Sequence, residues 1–246
     1  MHFTLPKINP QKEKETIVKF IQNILKKTKK EKIVIGLSGG IDSTTVFYLL
    51  KQAIPQEKIV TVALDYYDNL PHSRSVLEHH IKPIVDMHQS LLNINKENDK
   101  IRFGNIIART RMIILFDYAK KYNALVCGTE NKSEHHLGYF TRFGDAAADI
   151  EPIQHLYKTQ IYELAKYLKV PKTIINRPPS ADLWPKQTDE SHFGFTYQEA
   201  DKVIYLLTDK KLSINEIKKK KINNTDKIIS WINQNKFKSE VPYFIK

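Results

Sequence analysis

The sequence has little of several features that mark particular classes of protein. It contains one cysteine, Cys127, in 246 residues, which excludes an internal disulfide and a Cys-x-x-Cys site for metal or sulfur transfer. No apolar run is long enough to span a bilayer. The first residues, Met1 to Pro6, lack the charged-then-apolar layout of a signal peptide. We therefore expect a cytoplasmic protein with no membrane partner, in which Cys127 packs in a core strand.

Acidic residues are also in the minority. The chain has 39 Lys and Arg against 27 Asp and Glu, a net charge of +12, and such an excess can mark a nucleic-acid-binding protein. The lysines cluster at residues 26–32 and 218–221, where the ends of helices are expected, and the whole chain favours Lys, Asn and Ile. A solvated surface explains this charge better than an RNA-binding face, so we expect no nucleic-acid partner.

The most informative segment is Ser-Gly-Gly-Ile-Asp-Ser at residues 38–43. The apolar run before it, residues 33–37, predicts a buried parallel strand, and residues 44–50 predict the first turns of a packed helix. A strand, a Gly-Gly turn and a helix aim successive backbone N–H groups at one point, which attracts phosphate. The glycines allow close approach of an anion, and the two serines add hydroxyl donors. The segment predicts a phosphate site.

Asp42 is unexpected in such a loop, because a carboxylate repels phosphate oxygens unless a cation lies between them. A Mg²⁺ ion shared by Asp42 and a polyphosphate would remove that conflict. The alternative is that Asp42 caps the helix of an ordinary Gly-Gly turn. The coincidence of strand, glycines, hydroxyls and acid favours the phosphate site.

The remaining pattern alternates strands and helices, which predicts βαβ units. We expect an α/β fold with a Rossmann-like, doubly wound parallel sheet flanked by helices, forming a single domain over residues 1–246 that is helical from about residue 197. A polar, aromatic loop is expected at 65–75, and the long segment ending near Phe195 is typical of a lid or binding loop. The expected strands are 59–64, 81–85 and 124–128, and the expected helices are 11–29, 104–122 and 157–168.

Ligands of such sheets gather beyond the carboxyl ends of the strands. Glu134 follows the strand at 124–128 and could supply a second metal carboxylate opposite Asp42. Arg109 and Lys158 are each expected near the start of a helix, where a cation is disfavoured by the helix dipole and an anionic ligand would explain it. For Arg109 a structural salt bridge is an equally good explanation. Asp149 could cap a turn instead of binding a ligand.

The loop at 38–43 resembles the pyrophosphate loop of the N-type ATP pyrophosphatases, and further segments narrow the resemblance to the NAD synthetase family, in its short, ammonia-dependent form. The resemblance covers about residues 15–245 in unbroken order. The matching segments are 36–43, 104–112, 128–134, 138–149, Lys158, 180–184 and 187–190. Arg142 stands where a lysine is common, which keeps the charge but changes the donor geometry. Phe237 stands where many members have histidine, and the stretch 91–103 is short for the family.

The resemblance implies an adenine nucleotide alpha hydrolase-like fold, a homodimer, and roles for particular residues. ATP would be bound by Gly36, Leu37, Ser38, Gly39, Gly40, Ile41, Asp42, Ser43, Thr129, Lys158 and Ser180. Mg²⁺ would be held by Asp42 and Glu134. Deamido-NAD⁺ would be contacted by Arg109, Arg142, Asp149 and Lys238. Asp182, in the expected lid, would orient or deprotonate ammonium, although a structural loop aspartate is an equal alternative.

The implied reaction is the ATP-dependent amidation of deamido-NAD⁺ with ammonia, through an adenylate, to NAD⁺, AMP and pyrophosphate. Glutamine-dependent relatives carry a glutaminase domain with a nucleophilic cysteine, and the chain has no room for one, so we expect free ammonia as the donor. The competing hypotheses are a tRNA-modifying pyrophosphatase, favoured by the net charge alone, and a non-catalytic nucleotide-binding protein. The first would bind RNA in a salt-dependent way.

Overall fold

The computed structural model describes residues 3–66 and 77–245. The polar loop expected at 65–75 lies outside these residues apart from its first two positions. Across the described ranges, no helix combines the length and the apolar character needed to cross a membrane.

The sheet contains four strands in the described part of the chain, and all of them are parallel. The strands are β1 (Lys32–Gly36), β2 (Ile59–Asp65), β3 (Leu77–His80) and β4 (Ala124–Cys127), in the spatial order β3-β2-β1-β4. The order runs outward in both directions from β1, so the chain reverses its direction of winding beside this strand. That arrangement is the switch point of a doubly wound sheet, at which α/β proteins bind their ligands.

Helices cover both faces of the sheet and form a separate layer at the end of the chain. They are α1 (Pro10–Thr28), α2 (Ile41–Ala53), α3 (Lys82–Leu91), α4 (Lys100–Tyr122), α5 (Lys132–Leu137), α6 (Lys158–Tyr167), α7 (Lys172–Ile175), α8 (Asp189–Phe193), α9 (Tyr197–Ile204), α10 (Ile214–Lys218) and α11 (Thr225–Asn235). A π-helical turn, Tyr205–Asp209, continues α9.

The alternation of side chains along β1 explains the two-sided cover. Ile33 and Ile35 pack with α1, α2 and α6, whereas Val34 packs with α3 and α4 on the other face. All three side chains are fully buried, as expected for a strand that has helices on both sides. Residues from α8 to α11 form a third apolar cluster. The α/β, doubly wound fold predicted from the sequence is confirmed.

The strand expected at 81–85 is wrong. This segment forms the start of α3, in which Ile81 and Val85 lie one turn apart and are both buried. Pro83 occupies one of the first helical positions, where its missing N–H costs nothing. The third strand is instead Leu77–His80, an edge strand that pairs only with β2 among the described residues. Its polar sequence gave no apolar signal.

Cys127 ends β4 and is 2% exposed, within the core cluster on the α1, α2 and α6 face. Burial, aided by the nearby Glu151 carboxyl, raises the pKa of its thiol well above the ordinary value. A thiol in this environment is a packing group and a poor nucleophile.

Candidate active site

The segment between β1 and α2 has the geometry of a phosphate loop. Gly39 has φ +72°, a left-handed conformation that favours glycine. The Ser38 and Ser43 hydroxyls lie 3.0 Å apart, and Ser38 Oγ accepts a hydrogen bond from the N–H of Gly40. Gly40 is the N-cap residue of α2, and no side chain caps this helix. The structure therefore rules out Asp42 as the cap of this helix.

The carboxylate of Asp42 points to a buried lysine from a distant part of the chain. Lys158 is 2% exposed, and its Nζ lies 2.6 Å from Asp42 Oδ2 and 3.0 Å from Glu134 Oε1. The two carboxylates expected to bind magnesium are thus brought to one place by α2, α5 and α6. Lys158 is the first residue of α6, as expected.

Asn131 connects the same two carboxylates from the other side. Its Nδ2 donates to Asp42 Oδ1 over 3.0 Å, and its backbone N–H donates to Glu134 Oε2 over 3.3 Å. Asn131 is fully buried and is the N-cap of α5, where it forms a capping box with Glu134. Sequence reasoning gave this residue no role, although a capping pattern of Asn followed three positions later by Glu was visible.

A third carboxylate adds negative charge to this group. Asp189 is 3% exposed, its Oδ2 accepts a hydrogen bond from Tyr197 over 2.9 Å, and its Oδ1 has no hydrogen-bond partner. Sequence reasoning missed Asp189 as well, since only its neighbourhood in the segment 187–190 was noted. Three acids around a single lysine leave an excess of negative charge.

The pKa shifts follow from this crowding. Burial raises the pKa of Glu134 to about 8 against the opposing effect of Lys158. Burial alone would lower the pKa of Lys158, but Asp42 and Glu134 hold it well above its usual range. Burial also raises the pKa of Asp189. An additional cation would relieve the repulsion between these carboxylates.

Magnesium suits this arrangement. Within residues 3–66 and 77–245, no group of three or more His, Cys, Asp and Glu side chains is arranged to hold a metal ion by itself. Mg²⁺, however, is usually held by one or two carboxylates together with substrate phosphates and water. Asp42 and Glu134 beside a phosphate loop supply such a partial set of ligands.

A cavity of about 450 Å³ opens over this group, within the size range of small-molecule sites. Most of the residues expected from the sequence line it. They are Gly36, Leu37, Ser38, Gly40, Ile41, Asp42, Ser43, Thr129, Glu134, Lys158, Ser180, Asp182 and Lys238. Gly39, Arg109, Arg142 and Asp149 do not line it.

The three polar residues that do not line the cavity, Arg109, Arg142 and Asp149, make other contacts. The Nε of Arg109 donates to the carbonyl oxygen of Arg142 over 3.4 Å, and the Arg142 guanidinium lies 5.0 Å from the centre of the Phe237 ring. Asp149 Oδ2 accepts a hydrogen bond from the N–H of Val126 over 2.7 Å, which ties it to β4. The expected place of Arg109 near a helix start is wrong, because α4 begins nine residues earlier, at Lys100.

The expected lid segment contacts the phosphate loop. Arg177 binds Asp182 Oδ2 over 2.7 Å and also donates to the carbonyl oxygen of Gly39 over 3.5 Å. Ser180 Oγ accepts a hydrogen bond from the backbone N–H of Asp182 over 3.0 Å. Asp182 and Arg177 are each 40% exposed at the side chain. Asp182 therefore lies at the cavity mouth, whereas Glu134 and Lys158 lie at its floor.

Lys238 closes another side of the cavity. Its Nζ donates to the carbonyl oxygen of Gly138 over 2.8 Å and lies 3.4 Å from that of Phe140. Burial lowers the pKa of this lysine. No carboxylate pairs with Lys238 among the ion pairs of the described residues, so its charge remains available to an anionic ligand.

The fold and site define a nucleotide-binding α/β protein in which a glycine-rich phosphate loop faces a pair of acidic residues. A family model described as NAD synthase matches residues 13–242. The chain is 41% identical over 251 residues to an NH(3)-dependent NAD(+) synthetase of Fusobacterium nucleatum subsp. nucleatum, covering 97% of each chain. The chain belongs to the NAD synthase family.

Several solved structures are similar over nearly the whole chain. The structure of an NMN synthetase from Francisella tularensis has a TM-score of 0.79 and 33% identity, covering 98% of this chain and 100% of that one. The NH3-dependent NAD synthetase from Campylobacter jejuni, in complex with a nitrate ion, has a TM-score of 0.74 and 27% identity, covering 97% and 100%.

Proposed function

We propose that this chain catalyses the ATP-dependent amidation of deamido-NAD⁺ with ammonia, giving NAD⁺, AMP and pyrophosphate. Family membership supports the reaction, and one structural observation supports the site at which it occurs. Asp42 and Glu134 meet at Lys158, directly beside the loop at residues 36–43. A tRNA-modifying enzyme or a non-catalytic nucleotide-binding protein is not favoured by any particular contact.

The loop at residues 36–43 would bind the ATP phosphates through its backbone N–H groups, with the Ser38 and Ser43 hydroxyls as further donors. Thr129, Lys158 and Ser180 line the same cavity and would contact ATP. The nicotinate carboxylate attacks the α-phosphorus, and pyrophosphate leaves into the loop. The dipoles of the loop are fixed before the reaction, so they stabilise the charge that develops on the leaving group.

Magnesium, held by Asp42 and Glu134, would supply charge neutralisation to the phosphate oxygens when bound. Lys158 occupies the place between these carboxylates in the structure. Its ammonium group holds the two carboxylates close to each other before ATP binds. Lys158 would thus pair with the two carboxylates before ATP binds and contact ATP afterwards. Both roles suit a site in which negative charge exceeds positive charge.

Asp182 would orient ammonium or take up its proton before ammonia attacks the adenylate. Its position at the cavity mouth supports this role, since a side chain there can be reached by ammonium from solvent. The buried Cys127, with its raised pKa, offers no support for a glutaminase reaction in the described chain. Free ammonia is therefore the proposed nitrogen donor. The cytoplasmic location and the single-domain organisation expected from the sequence stay predictions.

Arg109, Arg142, Asp149 and Lys238 would contact deamido-NAD⁺. The contact between Arg109 and Arg142 places two cations next to the cavity, outside its lining. The helix that carries Arg109 also exposes the apolar side chain of Ile113, which is 57% exposed. These features support a homodimer that buries α4, with the dinucleotide bound near the interface.

The test is an assay of the purified chain with Mg-ATP and ammonium. With deamido-NAD⁺, we expect NAD⁺, AMP and pyrophosphate in equal amounts. Glutamine in place of ammonium, tRNA in place of deamido-NAD⁺, and omission of any acceptor are the controls. Release of AMP with tRNA alone, or efficient turnover on glutamine, would refute the proposal.

A mononucleotide acceptor is the second candidate. It is favoured by the likeness to an NMN synthetase, whose TM-score and identity exceed those of the Campylobacter jejuni enzyme. Amidation of nicotinate mononucleotide would use the same phosphate loop and the same chemistry at the nicotinate carboxylate. The ratio of kcat/KM for deamido-NAD⁺ to that for nicotinate mononucleotide decides between the two acceptors.

A further inference from the structure

A buried aspartate outside the cavity lining connects the two helices that carry Glu134 and Lys158. Asp201 lies on α9, within the helical layer at the end of the chain, and is fully buried. Its Oδ2 accepts hydrogen bonds from the backbone N–H of Thr159 over 3.0 Å and from the Thr159 hydroxyl over 2.8 Å. Its Oδ1 accepts a hydrogen bond from the hydroxyl of Ser133.

Ser133 completes the connection. It is fully buried, lies next to Glu134 on α5, and its Oγ accepts a hydrogen bond from the backbone N–H of Lys158 over 2.8 Å. Because a backbone N–H can only donate, the single hydrogen of the Ser133 hydroxyl is directed to Asp201. The direction of every bond in this chain of contacts is therefore fixed.

The contacts lie at two helix N-termini. Lys158 and Thr159 open α6, and their N–H groups have no partner within the helix, so Ser133 and Asp201 satisfy both. The negative charge of Asp201 also suits the positive end of the α6 dipole. The unfavourable placement of Lys158 at that end is thus offset by an acid from another layer of the fold.

We propose that Asp201, acting through Ser133 and Thr159, is a positioning residue for the magnesium and ATP phosphate site. It sets the start of α6 against α5, and so fixes where the Lys158 ammonium lies relative to the Glu134 carboxylate. It touches neither ATP nor metal. The inference rests on the proposed function for the roles of Glu134 and Lys158. It gives the helices from α8 to α11 a part in building the site.

The proposal differs from a purely stabilising role. A stabilising aspartate would lower the free energy of unfolding when changed and leave the affinity of the folded protein unaltered. A positioning aspartate would change Mg-ATP affinity in protein that remains folded. Partners that orient metal ligands from behind typically contribute about 10–100-fold in affinity or activity.

Each variant alters a different member of the chain of contacts. Ser133→Ala removes the link between Asp201 and Lys158, Asp201→Asn keeps the shape but replaces an acceptor with a donor, and Thr159→Val removes one hydroxyl. Val203→Ala is the matched control, because Val203 is fully buried on the same helix and belongs only to the apolar cluster. The melting temperature identifies which variants are folded.

Calorimetric titration with Mg-ATP, without acceptor or ammonium, is the main measurement. We expect Ser133→Ala and Asp201→Asn to weaken Mg-ATP binding at least about tenfold, and Val203→Ala to bind within twofold of wild type despite a lower melting temperature. The double variant of Ser133 and Asp201 should lose no more affinity than the weaker-binding single variant, because both act through one chain of contacts. In steady-state assays, the KM for Mg-ATP should rise and the KM for the acceptor should not.

Mg-ATP binding by Ser133→Ala and Asp201→Asn that equals wild type, with only stability lost, would overturn the proposal. An equal loss of Mg-ATP affinity in Val203→Ala would overturn the proposal too, because any destabilisation of α9 would then explain the loss. If Asp201→Asn does not fold, Mg-ATP binding by Ser133→Ala and Thr159→Val tests the proposal instead. Mg-ATP binding needs no acceptor, so a wild type that binds Mg-ATP yet leaves deamido-NAD⁺ unchanged would refute the proposed function and leave this test intact.

Discussion

The ammonium group of Lys158 lies 2.6 Å from the carboxylate of Asp42, although 116 residues separate them in the chain. Asp42 lies in the first turn of α2, after the loop that follows the first strand, and Lys158 opens α6 beyond the last strand of the sheet. The pair therefore forms only when the switch point of the sheet is complete. Glu134, 3.0 Å from the same ammonium, makes the pair a three-membered charged group.

Removal of the Lys158 charge should destabilise the protein in a way that magnesium reverses. In Lys158→Met, Asp42 and Glu134 would face each other without a cation, and breaking a buried ion pair typically costs about 3–5 kcal/mol. We expect a loss of this order in the free energy of unfolding, measured with urea. Added MgCl₂ should restore more stability to the variant than to wild type.

Lys132→Met is the matched control for that experiment. Lys132 pairs with Asp209 over 2.5 Å, but its side chain is 19% exposed and that of Asp209 is 35% exposed. Pairs that reach solvent contribute about 1 kcal/mol or less, so this variant should lose little stability and show no response to magnesium. Equal losses in the two lysine variants would contradict the special status of Lys158.

Gly128→Ala should destabilise the fold through a steric conflict behind the site. A Cβ atom at Gly128 would lie 1.8 Å from Oε1 of Glu151, whose other oxygen accepts the backbone N–H of Glu130 over 3.0 Å. The carboxyl cannot move aside without leaving that N–H unpaired, and overpacking of this kind costs about 1–3 kcal/mol. Thermal unfolding is the measurement.

Gly36→Ala provides the comparison for Gly128→Ala. The nearest atom to its Cβ would be a methyl carbon of Leu115 at 3.4 Å, an ordinary contact with a flexible side chain. We expect a change in stability below about 1 kcal/mol. A Gly36→Ala variant that lost as much stability as Gly128→Ala would show that the Glu151 contact is not the cause.

Glu151 should make the protein less stable as the pH rises. The pKa of Glu151 is raised from 4.5 to about 9. Burial is the larger cause, and the nearby Glu130 carboxyl is the second. Between these values the folded state holds a proton that the unfolded state has lost. The contribution of Glu151 is therefore fully present below its unfolded pKa and falls by up to about 1.4 kcal/mol per pH unit until the folded pKa is passed.

Glu151→Gln should flatten this dependence, because glutamine stays neutral throughout. We expect the variant to resemble wild type near pH 5 and to be more stable than wild type near pH 8.5, as measured by urea denaturation across that range. Glu31→Gln, at a side chain that is 78% exposed, is the control and should follow the wild-type profile. A Glu151→Gln profile parallel to that of wild type would mean that Glu151 titrates normally in the folded state.

Local patterns were enough to predict the parts of the molecule that depend on neighbouring residues. Ile33, Ile35 and the Gly-Gly turn specify a buried strand and a phosphate loop without reference to the rest of the chain. The edge strand Leu77–His80 was missed because an edge strand carries no continuous apolar run, and its pairing with β2 is set by the fold. The helical start at Ile81 was hidden by the same short apolar pattern that a strand would show.

The site residues also fall into those that the sequence indicates and those that only the fold brings together. Asp42, Glu134 and Lys158 were singled out from their places beside strand ends and helix starts and again from the family resemblance, and the structure shows that they meet. Asn131 acquires its role from Asp42, 89 residues away in the chain, and Asp189 acquires its role from Tyr197, eight residues further on and in the next helix. The contact between Asn131 and Asp42 is set by tertiary packing and cannot be predicted from sequence spacing, although the capping pattern that joins Asn131 to Glu134 can be.

Asp182→Asn should impair the use of ammonium and spare nucleotide binding. Asp182 lies at the cavity mouth with Arg177, away from the carboxylates that face Lys158. We expect the KM for ammonium to rise, or kcat to fall, by at least about tenfold, since general acid–base groups contribute about 10²–10⁴-fold. The Mg-ATP affinity should stay within twofold. If instead Asp189→Asn alone impairs ammonium use, the role passes to Asp189, whose Oδ1 has no partner.

Ile113→Glu should shift a dimer toward monomers. Ile113 is 57% exposed on α4, and α3, which packs against α4, has Met87 53% exposed. A charge placed within an apolar interface would cost about 2 kcal/mol or more, roughly a thirtyfold change in the dimer Kd. Sedimentation equilibrium measures the change.

Ile214→Glu, at an exposed position on α10, is the control, because the same charge placed outside α4 should leave the mass unaltered. A wild type that sediments as a monomer at assay concentrations would refute the dimer, and the substrate contacts of Arg109 and Arg142 would then have to form within a single chain.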